Sequence, residues 1–473
     1  MIKNDFPTVH YFDQDFVDVY DQTWAWIQDH WHKGTDINGF EPRFFHSPGS
    51  DTLNQFEAIF STFFLVYSNR TYPAAAQLDS FYSKQEESGA IRSDYSLETG
   101  EPVFTKGNPK GVNPPLFAWA EYNLFHKVGN KKRVREIMPI LEKYYAWLEA
   151  TFQKENGLYK VPVEATKMIN SPRKGAEYFV DFNSQQALNA YYMSELGEIL
   201  NDKEIAFRYK RLYFSLKTRI NNLMWNESAG VYYDIDGEHN QIMVKTIATF
   251  WPMLCAIPNE ARVEKLIAHL NNPETFGTEN PFPTLAADEP DFDPEGGGFC
   301  GSVLPPFTFM VIKALEQQKA YELAREFTLK HLYYLLDTLH PENNEEGSVW
   351  EAYQPHKDGP AKWKRHPEFP RPMLLAYTGL TTITLMIEHV IGLTISLPRK
   401  EVTWTIPTKE IMGIENLSLK RNNITILAQK SSRGWEIRLE SEKLYYFTVD
   451  VLGEKIKTLP IPSGKCSMLL DKL

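Results

Sequence analysis

The stretch GSVWEAYQPHKDGPAKW, Gly347 to Trp363, sets one carboxylate, Glu351, among three large rings, Trp350, Tyr353 and Trp363. Rings stack on pyranose faces, and a positioned carboxylate can activate water. The pattern therefore suits a sugar site, and it equally fits a loop carboxylate that caps a helix. A second stretch, GGGFCGSVLPPFTFMVIKAL (Gly296 to Leu315), has three glycines free to take unusual backbone angles and Pro305–Pro306 where a helix begins. A turn feeding that helix accounts for all of this. In YFVDFNSQQALNAYYMSELGEIL, Asp181 and Asn183 precede a helix, and an N-cap role competes with a ligand role.

Other chemistry falls away. His30 and His32 are two apart on a helix and do not share a face, a poor metal pair. No Walker loop, dinucleotide fingerprint or G-x-S-x-G elbow is present, so no cofactor and no metal are expected. Cys255, Cys300 and Cys466 are too scattered for a disulfide framework or a thiolate zinc site. Net charge is −11, from 50 basic and 61 acidic residues, which argues against non-specific nucleic-acid binding. No apolar run is long enough to cross a membrane, and the start MIKNDFPTVHYFDQDF lacks signal-peptide architecture. The expectation is a soluble, cytoplasmic protein with a small-molecule partner.

The elements that must position these residues are helical. Apolar residues recur at helical spacing through most of the first 395 residues, predicting twelve helices near 16–31, 53–68, 73–87, 113–128, 133–153, 183–200, 203–224, 245–256, 259–271, 304–317, 319–338 and 373–392. They come in pairs without a visible repeat, which favours a closed ring of six hairpins, an (α/α)6 barrel, over a solenoid. Long connections near 89–112, 157–182, 272–303 and 340–370 can gather at one rim and shape a central pocket. From about 398 the texture alternates in strand fashion, as in GWEIRLES. The expected organisation is a barrel over 1–397 and a small β-sandwich-like domain over 398–473.

Together these stretches resemble the six-hairpin glycosidases of the trehalase and processing α-glucosidase type, glycoside hydrolase families 37 and 63, with the bacterial mannosylglycerate and glucosylglycerate hydrolases. The resemblance covers nearly the whole chain in layout, and its specific matches are about five short motifs. It implies inverting cleavage of an α-glycosidic bond in a small carbohydrate, using one acid and one base carboxylate. The motif Trp-Glu-x-Tyr-x-Pro is intact as Trp350, Glu351, Tyr353 and Pro355, making Glu351 the implied base. NPPLFAWAEYNLF is similar to its family counterpart and places Trp119 near the rim, while VDFNS places Asp181 and Asn183 near the sugar.

Three positions depart. The acid motif, usually Glu-Ser-Gly-(Trp/Met)-Asp-x-Ser-Pro-Arg, reads EATKMINSPR from Glu164 to Arg173. Ile169 stands at the acid position and cannot donate a proton; Asn170 and Arg173 remain as binding candidates. The Trp-Asp pair that usually holds the sugar appears as Phe56-Glu57, and Trp-Arg-Gly-Pro appears as Phe299-Cys300-Gly301-Ser302. If hydrolysis occurs, Glu164 is the first substitute acid and Asp181 the second. A non-hydrolytic carbohydrate-binding protein on the same barrel is the alternative. An epimerase or lyase using His340, His356 or His366 ranks below both.

Overall fold

The computed structural model describes residues 6–340, 347–420, 422–432, 434–451, 453, 455–461 and 464–469. Its helices are α1 (Gln14–Asp29), α2 (Gln55–Leu65), α3 (Ala75–Tyr82), α4 (Phe117–Val128), α5 (Lys131–Phe152), α6 (Val180–Leu200), α7 (Lys203–Leu223), α8 (Trp251–Leu254), α9 (Glu260–Asn271), α10 (Pro305–Gln317), α11 (Tyr321–Leu339) and α12 (Leu375–Gly379). The even-numbered helices close on themselves: α2 packs on α4, α4 on α6, α6 on α8, α8 on α10, α10 on α12, and α12 back on α2. This is the (α/α)6 ring expected from the pattern of paired helices.

The two layers follow from composition. Every residue of α2 is buried, its few polar side chains included, as befits an inner helix covered on all sides. Outer α7 buries only Ala206, Tyr209, Tyr213, Leu216 and Ile220, one face at alternating spacings of three and four. Asp202 caps α7, accepting from the amides of Glu204 and Ile205 at 3.1 and 3.0 Å. Gly379 lets α12 cross α2 closely, since a Cβ there would lie 2.6 Å from the Phe64 ring. Beyond it, Leu380–Val390 winds as a π-helix, and the Ile391 amide bonds Met386 O at 2.8 Å.

The C-terminal part forms two sheets. One orders Thr8–Tyr11, Met412–Leu419, Asn422–Ser431, Gly434–Ser441 and Gly464–Leu469; the other orders Leu393–Ser396, Glu401–Ile406, Tyr445–Val451 and Lys455–Ile461. Burial alternates residue by residue along Gly434–Ser441, as the sequence pattern predicts for a half-covered strand. The strand-rich part starts at Leu393, and Thr8–Tyr11 from the N-terminal region pairs antiparallel with Met412–Leu419. Among the described residues no helix is long and apolar enough to cross a membrane, and no three His, Cys, Asp or Glu side chains group as metal ligands do.

Candidate active site

Asn54 caps helix α2, its side-chain oxygen accepting from the amides of Phe56 (2.9 Å) and Glu57 (3.2 Å). This cap fixes the first turn, where the positive helix end favours an acidic residue such as Glu57. Asn54 also donates to Asp94 at 2.6 Å. Glu351 is held by a ladder-like loop: its amide bonds Arg371 O at 2.9 Å, and Tyr353 exchanges backbone bonds with Val303 at 2.9 Å.

Arg371 joins the two carboxylates. Its Nη2 meets Glu57 Oε1 at 2.5 Å, and its Nε meets Glu351 Oε2 at 3.3 Å. The Arg371 amide reaches the same Glu351 oxygen at 3.1 Å. Among the described residues, Oε1 of Glu351 takes no hydrogen bond, and the side chain is 15% exposed. Burial opposes the Arg371 charge, but Glu57 and then Glu351 outweigh it and push its pKa above the usual arginine range. The Tyr377 hydroxyl is pushed up by burial first and then by the same two carboxylates.

Phe369, two residues before Arg371, joins a run of aromatic rings. Phe299 lies 6.1 Å from Phe369, and Phe369 lies 5.7 Å from Trp363. Asn170 ties the 157–179 connection to the glycine-rich turn, accepting from Phe299 N at 2.7 Å and donating to Gly297 O at 2.9 Å. Gly298 must be glycine here. Its φ is +64°, and a Cβ would stand 2.7 Å from Asn170 Oδ1 and 2.9 Å from the Trp363 ring. Two groups result: Glu57 and Glu351 share Arg371, while Asn170, Phe299 and Trp363 gather around Gly298 and Phe369, with Phe56 and half-buried Trp350 the chain neighbours of the two carboxylates.

Other expected site residues lie deeper. Asp181 is wholly enclosed and bonds Arg173 Nη1 at 3.0 Å; Asp234 faces the same nitrogen at 3.4 Å. Arg173 Nη2 donates to Thr166 Oγ1 at 2.7 Å, so the three charges fasten the acid loop to α6. Burial raises Asp181 against the pull of Arg173, and it pushes Asp234 up to about 6. Helix α6 starts at Val180 rather than 183, with Phe179 at the cap position, so neither Asp181 nor Asn183 is an N-cap. Asn183 is spent on the backbone of Tyr159 and Phe179. Trp119 belongs to the ring's core, 4.7 Å from Phe63, and Tyr353 is buried with its hydroxyl accepting from Trp350 N at 3.1 Å. These residues are enclosed and do not line an open surface.

The acid loop is arranged differently from the expectation. Ile169 is half-exposed in a groove of about 370 Å³ that its own loop lines with Val161, Pro162, Val163 and Phe179. The Glu164 carboxylate lies against Gly107, where an added Cβ would be 2.0 Å from its Oε1. Lys167 takes the left-handed conformation, φ 66°, ending the short helical turn Val163–Thr166. A lysine there costs about 1–2 kcal/mol relative to glycine. Its Nζ stands 6.0 Å from the centre of the Phe56 ring. Sequence reasoning did not single out Lys167, Arg371 or Tyr377. The signal for Lys167 was available: counted back from Ser171-Pro172-Arg173, it occupies the motif's glycine. Arg371, twenty residues after Glu351, had no such signal.

Comparison with known proteins agrees with this layout. A family model described as the mannosylglycerate hydrolase MGH1-like glycoside hydrolase domain matches residues 69–369, and a trehalase C-terminal domain model matches 392–473. A Borreliella burgdorferi protein described only as uncharacterized is 52% identical over 476 residues, covering 100% of both chains. Among solved structures, a GH63 mannosylglycerate hydrolase from Thermus thermophilus, in complex with glucose, superposes with a TM-score of 0.62 at 16% identity. That match covers 78% of this chain and 100% of the other. The neutral trehalase of Saccharomyces cerevisiae gives 0.57 at 12% identity, covering 75% and 76%. A chain titled sialidase gives 0.70 at 16% identity over 98% of this chain, which spans 41% of that protein. At such identities these structures share the fold and nothing finer.

Proposed function

This chain belongs to the mannosylglycerate hydrolase MGH1-like glycoside hydrolase family, and from that premise we propose that it breaks an α-glycosidic bond of a small glycoside with inversion, using Glu351 as general base. The observation that carries the reading is the asymmetry of the Glu351 carboxylate. Oε2 is pinned by the Arg371 amide and guanidinium, while Oε1 is left to hold a water. In the proposed step the water oxygen attacks the anomeric carbon, Glu351 takes the proton, and the leaving group departs from the opposite face. Glu57 accepts from sugar hydroxyls, Trp350 and Trp363 stack on the ring, and Phe56 and Phe299, both buried, act by packing. Asp181, Asn183, Arg173 and Tyr353 act by positioning, and no cofactor takes part.

No acid is assigned among the residues expected to supply one. Ile169 has no proton, Glu164 is turned toward Gly107, and Asp181 is enclosed beneath Arg173. A substrate whose leaving group needs no protonation therefore isolates the base. α-D-Mannosyl fluoride and α-D-glucosyl fluoride are such probes, with turnover read as fluoride release. Wild type should turn over at least one of them, and Glu351→Gln should lower the rate about 10²- to 10⁴-fold. Absent turnover, or turnover indifferent to Glu351→Gln, would sink the hydrolase reading and leave plain carbohydrate binding.

A further inference from the structure

An enclosed histidine lies against the loop that carries Glu351. His331, on α11, is 1% exposed, and its Nδ1 stands 3.0 Å from Asn280 Oδ1. The Asn280 amide nitrogen already donates to Gln354 O at 3.1 Å, so its oxygen faces the imidazole and Nδ1–H is the donor. Nε2 then carries no hydrogen, and among the described residues no hydrogen bond reaches it. A leucine or phenylalanine would fill this space without stranding a buried nitrogen, so packing alone does not account for an imidazole. Burial lowers the His331 pKa to about 4, with no charged side chain contributing, and the ring stays neutral at ordinary pH.

The donor holds a side chain that in turn holds the loop. Asn280 fixes two consecutive carbonyls, Gln354 O through its side chain and Pro355 O through its own amide at 2.9 Å. The His331 bond sets the orientation of the Asn280 amide group that makes the first of these contacts. On its other side the imidazole meets the Tyr353 ring edge to face, with centroids 6.1 Å apart at 90°. The Tyr353 hydroxyl accepts from Trp350 N at 3.1 Å. These two routes end on either side of Glu351: Trp350 before it, Gln354 and Pro355 after it. Arg371 takes the Glu351 amide and one carboxylate oxygen from the opposite direction. The direction of the remaining oxygen therefore depends on how firmly the 350–355 backbone is held.

Resting on the proposed role of Glu351, we propose that His331 is a positioning residue for the general base, fixing the 350–355 segment through Asn280 and Tyr353 and so aiming the free oxygen of Glu351. It touches neither sugar nor water. A base displaced by a fraction of an ångström leaves sugar binding in place but no longer meets the attacking water in line, so its loss falls on kcat rather than on KM.

The test measures kcat and KM separately on the glycosyl fluoride that wild type turns over, with circular dichroism to confirm the fold of each variant. His331→Leu removes the donor and keeps the bulk; kcat should fall about tenfold or more while KM stays within about threefold. His331→Phe keeps a ring beside Tyr353 without a donor and should lose kcat in the same way, which decides the matter if the leucine variant does not fold. His331→Asn puts an amide nitrogen where Nδ1 stands and should recover most of the lost rate. Because a neutral imidazole neither gives nor takes a proton, the deficit of His331→Leu should be constant from about pH 5 to 8. Added to Glu351→Gln, His331→Leu should change the residual rate by less than about twofold, since the group it positions is already gone. An unchanged kcat in the donorless variants, a loss confined to KM, no recovery with asparagine, a deficit that varies with pH, or a full further loss on top of Glu351→Gln each overturns the role of His331 and leaves the base intact. Turnover indifferent to Glu351→Gln removes the base reading instead.

Discussion

Replacing Asp234 by asparagine removes one of two carboxylates that share the Arg173 guanidinium. Asparagine keeps an oxygen for the Val180 amide, which Asp234 Oδ1 accepts at 2.7 Å. It also leaves the 3.0 Å bond between Arg173 and Asp181 in place. What disappears is the second negative charge of an enclosed site. Burial is the main force pushing Asp234 up to about 6 from 3.8; Arg173 opposes it, and Asp181 adds to it.

With the folded pKa above the unfolded one, the folded protein binds a proton that the unfolded chain has already lost between them. The contribution of Asp234 to stability is therefore full below pH 3.8 and is lost as the pH rises through about 6. A rise of that size, at about 1.36 kcal/mol per unit, bounds the effect at roughly 3 kcal/mol. Because Asp181 competes for the same guanidinium, a realised difference of about 1–3 kcal/mol is expected. Urea unfolding of wild type and Asp234→Asn from pH 4 to 7.5 measures it. The variant should gain on wild type by that amount as the pH rises, with most of the gain between pH 4 and 6.5. A flat difference, or a variant that loses ground with rising pH, refutes the reading of two carboxylates on one buried cation.

Arg371→Met strands Glu57 and Glu351 together; with both partly solvated, a loss of about 2–4 kcal/mol in unfolding free energy is expected, alongside at least a hundredfold loss of glycosyl fluoride turnover. Retained turnover would show that Arg371 does not hold the base. Gly298→Ala forces a Cβ against Asn170 and Trp363 at a positive φ, so it should destabilise by about 1–3 kcal/mol and raise KM more than it lowers kcat. An unchanged KM would place the glycine-rich turn outside the binding wall. Ile169→Asp puts a carboxyl at the family's acid position and should speed methyl α-glycoside cleavage at least tenfold. No gain would mean that position 169 serves the loop's own groove and not the leaving group.

The barrel was legible because its signals are local. Alternating spacings of three and four along Ala206–Ile220, the Asp202 cap and the strand alternation in Gly434–Ser441 each report on neighbours within a few residues. Membership in the ring follows once twelve such helices pair by short joints. Burial depth was less legible. Trp119, Asp181, Asn183 and Tyr353 lie in motifs that imply contact with a sugar, yet all four are enclosed. A motif preserves the position of a side chain in the chain and says little about whether it faces substrate or props up a residue that does.

The site itself was half legible, and the missing half is informative. Glu351 and Glu57 could be named separately, but nothing in their spacing, 294 positions apart, says that one arginine binds both. That arrangement exists only because α2 opens beneath the loop that follows α11. The guanidinium ties both carboxylates into one ion-paired unit that neither position reveals by itself. The residues expected to supply an acid fall short for three different reasons: Ile169 has no ionisable group, the Glu164 carboxylate lies against Gly107, and Asp181 is enclosed in its ion pair with Arg173. On the proposed reading the leaving group's proton thus has no assigned source, which is why the leaving group, rather than the sugar, is the first property of the substrate to determine.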